Sequence, residues 1–191
     1  MAQISIIGTG NMGQAINTAF TKGGHTVQVI GQDDADQAVT GNIVVLAVPY
    51  PALAEIAAAR GEQLAGKIVV DITNPVNFET FDSLTVAADS SAAAELAASL
   101  RDAKVVKAFN TTFAATLASG QVADTTTTVL IAGDDAEAKA TLAEAIRATG
   151  MNVIDAGALS RARELEAMGF LQITLAAAEK ISWTAGFAVN A

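Results

Sequence analysis

Gly8-Thr9-Gly10-Asn11-Met12-Gly13 is the stretch whose residue types and spacing point most directly to chemistry. It matches G-x-G-x-x-G, with an apolar run (residues 4–7) before it and a helical pattern (residues 14–20) after it. Each glycine has a separate physical task. Gly8 permits a sharp turn, Gly10 leaves no side chain between the backbone and a diphosphate, and Gly13 lets a helix lie close to its strand. A diphosphate there meets the N–H groups of Asn11 and Met12 at the positive end of the helix dipole. Glycines also mark ordinary turns, so the strand and helix flanks decide in favour of a dinucleotide site.

Polar clusters follow three later strand patterns. Residues 43–48 end at Pro49-Tyr50-Pro51, residues 67–72 run into Thr73-Asn74-Pro75, and residues 104–109 end at Asn110-Thr111-Thr112. In a parallel sheet these ends share one side with the glycine turn. Tyr50 is placed to stack near a nucleotide, or to pack as an ordinary surface aromatic. Lys107 sits within an apolar strand, which disfavours an unpaired ammonium. A structural pair with Asp71 is the first reading, and a role at the site the second. An acid is expected about 20 residues beyond the glycine turn to hold ribose hydroxyls. Asp33 is the candidate, with Gln32 and Asp34 beside it. No Lys or Arg lies between Lys22 and Arg60, so the segment itself offers no cation to a 2′-phosphate and favours NAD over NADP.

Composition narrows the classes. The chain has 191 residues, is 51% hydrophobic and 16% charged, and carries a formal charge of -9. Nucleic-acid binding needs clustered cations and is disfavoured. The longest apolar stretch, residues 43–59, is interrupted by Pro49, Pro51 and Glu55 and falls short of the roughly 18 to 20 residues a membrane span needs. There is no cysteine and one histidine, which removes thiolate chemistry and a multi-histidine metal centre. Met1-Ala2-Gln3 has no basic residue of the kind that opens a signal peptide, so a cytoplasmic protein is expected. His25 precedes a strand, away from the phosphate end, and reads as structural.

Strands and helices alternate along the chain, which predicts one α/β domain over residues 1–191, a doubly wound, mostly parallel sheet of about seven strands. Further strands are expected over 26–30, 125–132 and 151–155, and helices over 52–60, 92–100 and from Asp134 to Thr149. Only roughly a dozen residues, 31–42, join the second and third strands, so the helix between them is stunted or absent. Asp134 with Glu137 has capping-box spacing. The loop 76–88, with Phe78 and Phe81, is long enough to be a lid, or is a surface loop pinned by two aromatics. The last helix is expected over 161–181, with Leu165, Met168, Leu171 or Gln172, and Leu175 as its buried stripe, and Arg161, Arg163, Glu164 and Glu166 solvated. A tail then runs to residue 191, and Trp183 to Val189 is apolar enough to cover a partner or the protein's own core.

Taken in order, the glycine turn, Asp71-Ile72-Thr73-Asn74-Pro75, Val105-Val106-Lys107-Ala108-Phe109-Asn110-Thr111, and Asp155-Ala156-Gly157 followed by Arg163-Glu164-Leu165-Glu166 resemble the NADP oxidoreductases that use the deazaflavin coenzyme F-420. They also resemble the related reductase domains of six-transmembrane metalloreductases. The resemblance implies a Rossmann-type domain, often dimeric, that passes hydride between NADP and a flavin-like ring. By motif, Thr9, Asn11 and Met12 then line the phosphates, Ala47, Val48 and Tyr50 border the cofactor, and Pro49, Asn74 and Pro75 flank the nicotinamide with Ala108, Phe109, Asn110 and Thr111. No general acid or base is implied, because such cofactors carry the chemistry and need chiefly orientation. NADP-binding relatives resemble Gly-Ser-Arg where this chain has Gly31-Gln32-Asp33, which leaves NAD and NADP both open. The acceptor is a deazaflavin, a flavin or another small molecule. Gly8 to Ile16 is similar to pyrroline-5-carboxylate reductase as well. That family adds a helical domain after its Rossmann half and ranks second here, while a module that binds the nucleotide without turnover ranks third.

Overall fold

β-branched runs and small residues set the framework. The computed structural model describes residues 1–34 and 36–189; Ala35 and residues 190 and 191 of the expected tail lie outside it. The strands are β1 (Gln3–Ile7), β2 (Thr26–Ile30), β3 (Ile43–Leu46), β4 (Ile68–Asp71), β5 (Lys104–Lys107), β6 (Gln121–Val122), β7 (Thr125–Thr126), β8 (Thr128–Gly133) and β9 (Asn152–Asp155). The helices are α1 (Asn11–Lys22), α2 (Ala52–Leu64), α3 (Ala92–Ser99), α4 (Ala114–Ser119), α5 (Ala136–Ala148) and α6 (Ala162–Ala177).

Seven strands form one sheet in the order β2-β1-β3-β4-β5-β8-β9. The first five run parallel, β8 is antiparallel to β5, and β9 is parallel to β8. This is the doubly wound sheet that the alternation predicts. The connections reverse direction between β1 and β3, the switch point where open α/β sheets bind ligands. Every residue of β3 and β4 is buried, as strands covered on both faces should be. Alternate side chains feed two cores. Ile43 and Val45 join Ile16, Phe20 and Ile146 on the face of α1 and α5, whereas Val44 and Leu46 join Leu53, Leu64 and Leu96 on the face of α2 and α3.

Several boundaries differ from the sequence reading. The expected strand over 125–132 is split, because Thr125–Thr126 pairs antiparallel with Gln121–Val122 and the sheet strand starts at Thr128. Asp134 does not cap α5. Asp135 accepts from Ala138 N at 2.8 Å, while Asp134 accepts from Leu159 N at 2.9 Å. Between β2 and β3 the one helical element among the described residues is a 3-10 turn over Gln32–Asp34. The end of the connection lies against β1: a Cβ on Gly41 would sit 2.3 Å from Ser5 N, and Ser5 Oγ accepts from Gly41 N at 2.8 Å, so no side chain fits at position 41.

α6 carries the largest correction. Its buried residues are Ala162, Leu165, Glu166, Gly169, Gln172 and Ala176, whereas Leu171 is 51% exposed. The buried stripe keeps Leu165 and Gln172 of the expected one, but Met168 and Leu175 are only half-buried and Glu166, Gly169 and Ala176 take their place. The reason is that α6 lies partly over polar strand ends, where small and hydrogen-bonding residues fit and long apolar ones do not.

Candidate functional site

The glycine turn has the geometry its spacing demands. Gly8 has φ 120°, and a Cβ there would sit 2.1 Å from Ala47 O. A Cβ on Gly13 would meet Gly8 O at 2.3 Å, so α1 can approach β1 only with glycine in place. Around Gly10 nothing lies within 4 Å of a Cβ. Hence Gly8 and Gly13 are required by the fold, whereas no contact within the fold requires glycine at position 10. Gly10 is also the N-cap of α1, with no side-chain cap and no acidic residue in the first turn. Asn11 and Met12 thus belong to the helix, three residues earlier than expected, and their end of it is open to an anion. Ala47 and Val48 stand against this turn, Ala47 N donating to Ile7 O at 2.8 Å.

At the end of β2, Gly31 N donates to Asp34 Oδ2 at 2.8 Å, while Gln32 and Asp33 are exposed. A feature hidden from the sequence is Arg60. From α2 it donates to Gln37 O at 2.7 Å and to Asp34 O at 3.0 Å, bringing a guanidinium beneath a turn that has no cation of its own. Arg60 is 8% exposed, so its charge is spent on the turn's carbonyls.

Between the glycine turn and the ends of β4 and β5 lies a cavity of about 550 Å³. Its polar border includes Asn11, Asn74, Asn110 and Thr112; Met12, Ile72, Phe78, Phe113, Ile173 and Trp183 make an apolar wall. The two asparagines bind one another. Asn74 Nδ2 donates to Asn110 O at 2.8 Å, and Asn110 Nδ2 donates to Asn74 Oδ1 at 2.8 Å and to Leu165 O at 2.9 Å. Both partners of Asn110 Nδ2 are acceptors, which fixes the orientation of that amide. Asn110 Oδ1 is buried with no partner. Such an acceptor costs roughly 1–3 kcal/mol until a donor meets it.

Not every predicted pocket residue borders this cavity. Phe109 has φ 61° and is 1% exposed, with its ring edge-on to Phe20 at 6.0 Å. Its side chain goes into the core while the left-handed backbone turns Asn110 toward the cavity. Ala108 and Thr111 are likewise buried and absent from the lining, as is Pro75, whose carbonyl accepts from Thr85 N at 2.7 Å. Pro49 is exposed at the end of β3. Tyr50 lies in a separate cleft of about 220 Å³ between α2 and α3, its hydroxyl donating to Glu95 Oε2 at 2.5 Å. Phe78 and Phe81 pack edge-on to each other and do not pin the loop, for Phe78 is 61% exposed. His25 accepts from Ala2 N at 3.1 Å and lies 3.0 Å from Ala145 O, a structural pairing. A larger concavity of about 600 Å³ at the β8–β9 end, beside Arg147 and Asn152, is far in the sheet order from the glycine turn.

Lys107 has its partner in Asp71, at 2.9 Å, and a second one that the sequence reading missed, Glu166 at 2.8 Å. All three side chains are at most 1% exposed. Lys107 Nζ also donates to Thr73 O at 2.5 Å, and Glu166 Oε2 accepts from Ala92 N at 2.9 Å at the start of α3. Burial pushes the Glu166 carboxyl above the ordinary range, against the pull of Lys107. Charged neighbours in the sequence point to a solvated Glu166, and the structure buries it. The available signal was its face, shared at helical spacing with the small residues Ala162 and Gly169.

Residues 3–40 and 31–75 match the family model for NADP oxidoreductase, coenzyme F420-dependent. Over 157 residues the chain is 32% identical to the F420-dependent NADP reductase of Methanocaldococcus jannaschii, covering 80% of this chain and 70% of that protein. It is also 32% identical over 182 residues to metalloreductase STEAP3 of Rattus norvegicus, covering 87% of this chain but 36% of that protein, so it spans about a third of that relative. A solved structure from Arthrobacter sp. FB24, a candidate F420-dependent NADP reductase, superposes with a TM-score of 0.88 at 28% identity over 100% of both chains. With that identity and coverage, and with a glycine turn of the right geometry at the switch point of its sheet, the chain belongs to the F420-dependent NADP oxidoreductase family.

Proposed function

We propose that this protein transfers hydride between a nicotinamide dinucleotide and a small planar acceptor, a deazaflavin, a flavin or another ring of that kind. One observation carries the reading: the open helix end at Asn11 and Met12 and the Asn74–Asn110 pair border the same largely apolar cavity. Two features fit the dinucleotide. The space around Gly10 is free for a diphosphate, and Asn110 Oδ1 lacks the donor that a carboxamide N–H would supply. Thr9, Gly10, Asn11 and Met12 would hold the phosphates, Gln32 and Asp33 the adenosine ribose, and Asn74 and Asn110 the nicotinamide end. When bound, the nicotinamide supplies both electrons with a hydrogen nucleus as one hydride.

The chain's own share is orientation and exclusion of water. Met12, Ile72 and Ile173 offer flat apolar contact to stacked rings, and no charged side chain is among the described residues lining the cavity. That absence of charge matches an acceptor reduced by hydride, with the balancing proton taken from solvent. The dinucleotide is NADP by family, while Asp33 and the Asp34 carboxylate on Gly31 N oppose a 2′-phosphate. No helix of the described residues is long and apolar enough to cross a membrane. A cytoplasmic homodimer remains part of the proposal.

The test is to mix purified protein with NADPH or NADH and a panel of deazaflavin, flavin, ferric chelate and imine acceptors, following reduced-nicotinamide absorbance. Turnover with the planar rings is expected. Turnover with the imine alone would favour an imine reductase, and nucleotide binding without turnover a sensor.

A further inference from the structure

The contacts behind the asparagine pair are as ordered as those before it. α6 crosses the ends of β4 and β5, and three of its residues touch the network there. Leu165 O accepts from Asn110 Nδ2 at 2.9 Å. Glu166 meets Lys107 at 2.8 Å and the backbone N–H of Ala92 at 2.9 Å. One turn later, Gly169 is so close that a Cβ would sit 2.3 Å from Asn74 Oδ1 and 2.8 Å from Asn110 O. A glycine inside a helix is unfavourable relative to alanine unless contact requires it. Here the contact is with the pair that borders the cavity.

The ion cluster explains how α6 finds that register. Lys107 uses its three donors on Asp71 Oδ2, Thr73 O and Glu166 Oε1. Thr73 adjoins Asn74, and Lys107 precedes Asn110 by three residues, so one ammonium ties together both strand ends and the helix. Buried ion pairs are poor sources of stability but good devices for fixing one arrangement over others.

We propose that Glu166 and Gly169 are positioning residues for the nicotinamide: the Lys107–Glu166 contact sets α6, and the notch at Gly169 holds the Asn74–Asn110 pair at the cavity. This rests on the assignment of that pair to the nicotinamide end. Both residues act through the asparagines and touch no ligand themselves.

The test compares two ligands. ADP-ribose, taken as its 2′-phosphate where the dinucleotide is NADP, reaches the glycine turn but has no nicotinamide, whereas the oxidised dinucleotide, NAD or NADP, reaches both. In calorimetry, Glu166→Gln and Gly169→Ala should each weaken the full dinucleotide by about tenfold or more while leaving ADP-ribose within about twofold. Gly169→Ala leaves the ion cluster intact, and so keeps the test open if Glu166→Gln does not fold. In a double-mutant cycle, Gly169→Ala should add little to Asn74→Ala, since both act on one contact. Equal loss of both ligands would reduce Glu166 and Gly169 to a general structural role and overturn the proposal. Unchanged affinity for both would overturn it too. Wild-type protein that binds ADP-ribose no more weakly than the full dinucleotide would remove the nicotinamide assignment on which the proposal stands.

Discussion

Tyr50 and Asp33 show what single residues can and cannot tell. Placed at a strand end near the glycine turn, Tyr50 reads as a stacking residue or as a packed surface aromatic, and its hydroxyl, held by Glu95, fits the second reading. That hydrogen bond, and then burial, push the phenol up to about 12. A folded-state pKa above the unfolded value of about 10 means that folding favours the neutral phenol, so stability falls as pH rises through this window. Tyr50 is the protein's one tyrosine, which makes tyrosinate absorbance a direct readout. At pH about 11 the folded protein should remain mostly un-ionised and the unfolded chain mostly ionised. Glu95→Gln should lower the folded midpoint toward 10; a wild-type midpoint already there would mean the bond does not form. Asp33 is exposed on a turn whose backbone is fixed by Arg60 and Asp34, so replacing it alters charge with little effect on shape. Asp33→Arg should raise the NADPH-to-NADH preference by about tenfold or more in kcat/KM. An unchanged ratio would mean that Asp33 does not meet the ribose.

At the scale of elements, the glycine turn separates what folds the protein from what binds its ligand. Gly13→Ala drives a Cβ to 2.3 Å from Gly8 O and should destabilise by about 1–3 kcal/mol in urea unfolding. Gly10→Val has open space and an ordinary φ of -70°, so it should melt like wild type and lose nucleotide binding in calorimetry. Retained affinity would remove the diphosphate from this turn. A similar contrast applies to the lysines of β5. Lys107→Met strands two buried carboxylates and should cost about 3–5 kcal/mol. Lys104→Met breaks a pair at 3.2 Å whose lysine side chain is 38% exposed, and should cost less than about 1 kcal/mol. Equal losses would argue against the buried cluster. These elements also show how far the sequence could be read. Strand periodicity and the glycine spacing are local signals, so the sheet and the turn were legible. Lys107 announced that it needed a partner, and Asp71 lay at a matching strand end. The roles of Glu166, Gly169 and Arg60 were not legible, because each is defined by a contact across the fold; the small residues sharing the face of Glu166 show that the face is close-packed but not what it packs on. The face of α6 is legible only in part, at Leu165 and Gln172: periodicity finds an apolar stripe, and this helix partly covers amides and ions.

For the whole molecule, the open question of assembly meets the cavity at the chain's tail. Trp183 packs on Phe113 with ring centroids 5.0 Å apart and borders the cavity, yet it remains 53% exposed, and Phe187 44%. The tail therefore covers its own core only in part. Leu171, on the outer face of α6, adds to this uncovered apolar surface. Burying such groups against a second copy is worth about 25 cal/mol per Å² before association costs, so a modest patch decides little unless both copies contribute it. A two-fold dimer would bring the same patch twice. Truncation after Lys180 should then yield a monomer in light scattering. Because Trp183 also walls the cavity, the truncated protein should lose kcat/KM for the acceptor and keep its affinity for ADP-ribose, which the glycine turn with Gln32 and Asp33 would hold. An intact dimer would place the interface elsewhere. A monomer with undiminished acceptor turnover would show that the tail serves assembly and leaves the cavity to residues of α1, α4 and α6 and of the loops after β4 and β5.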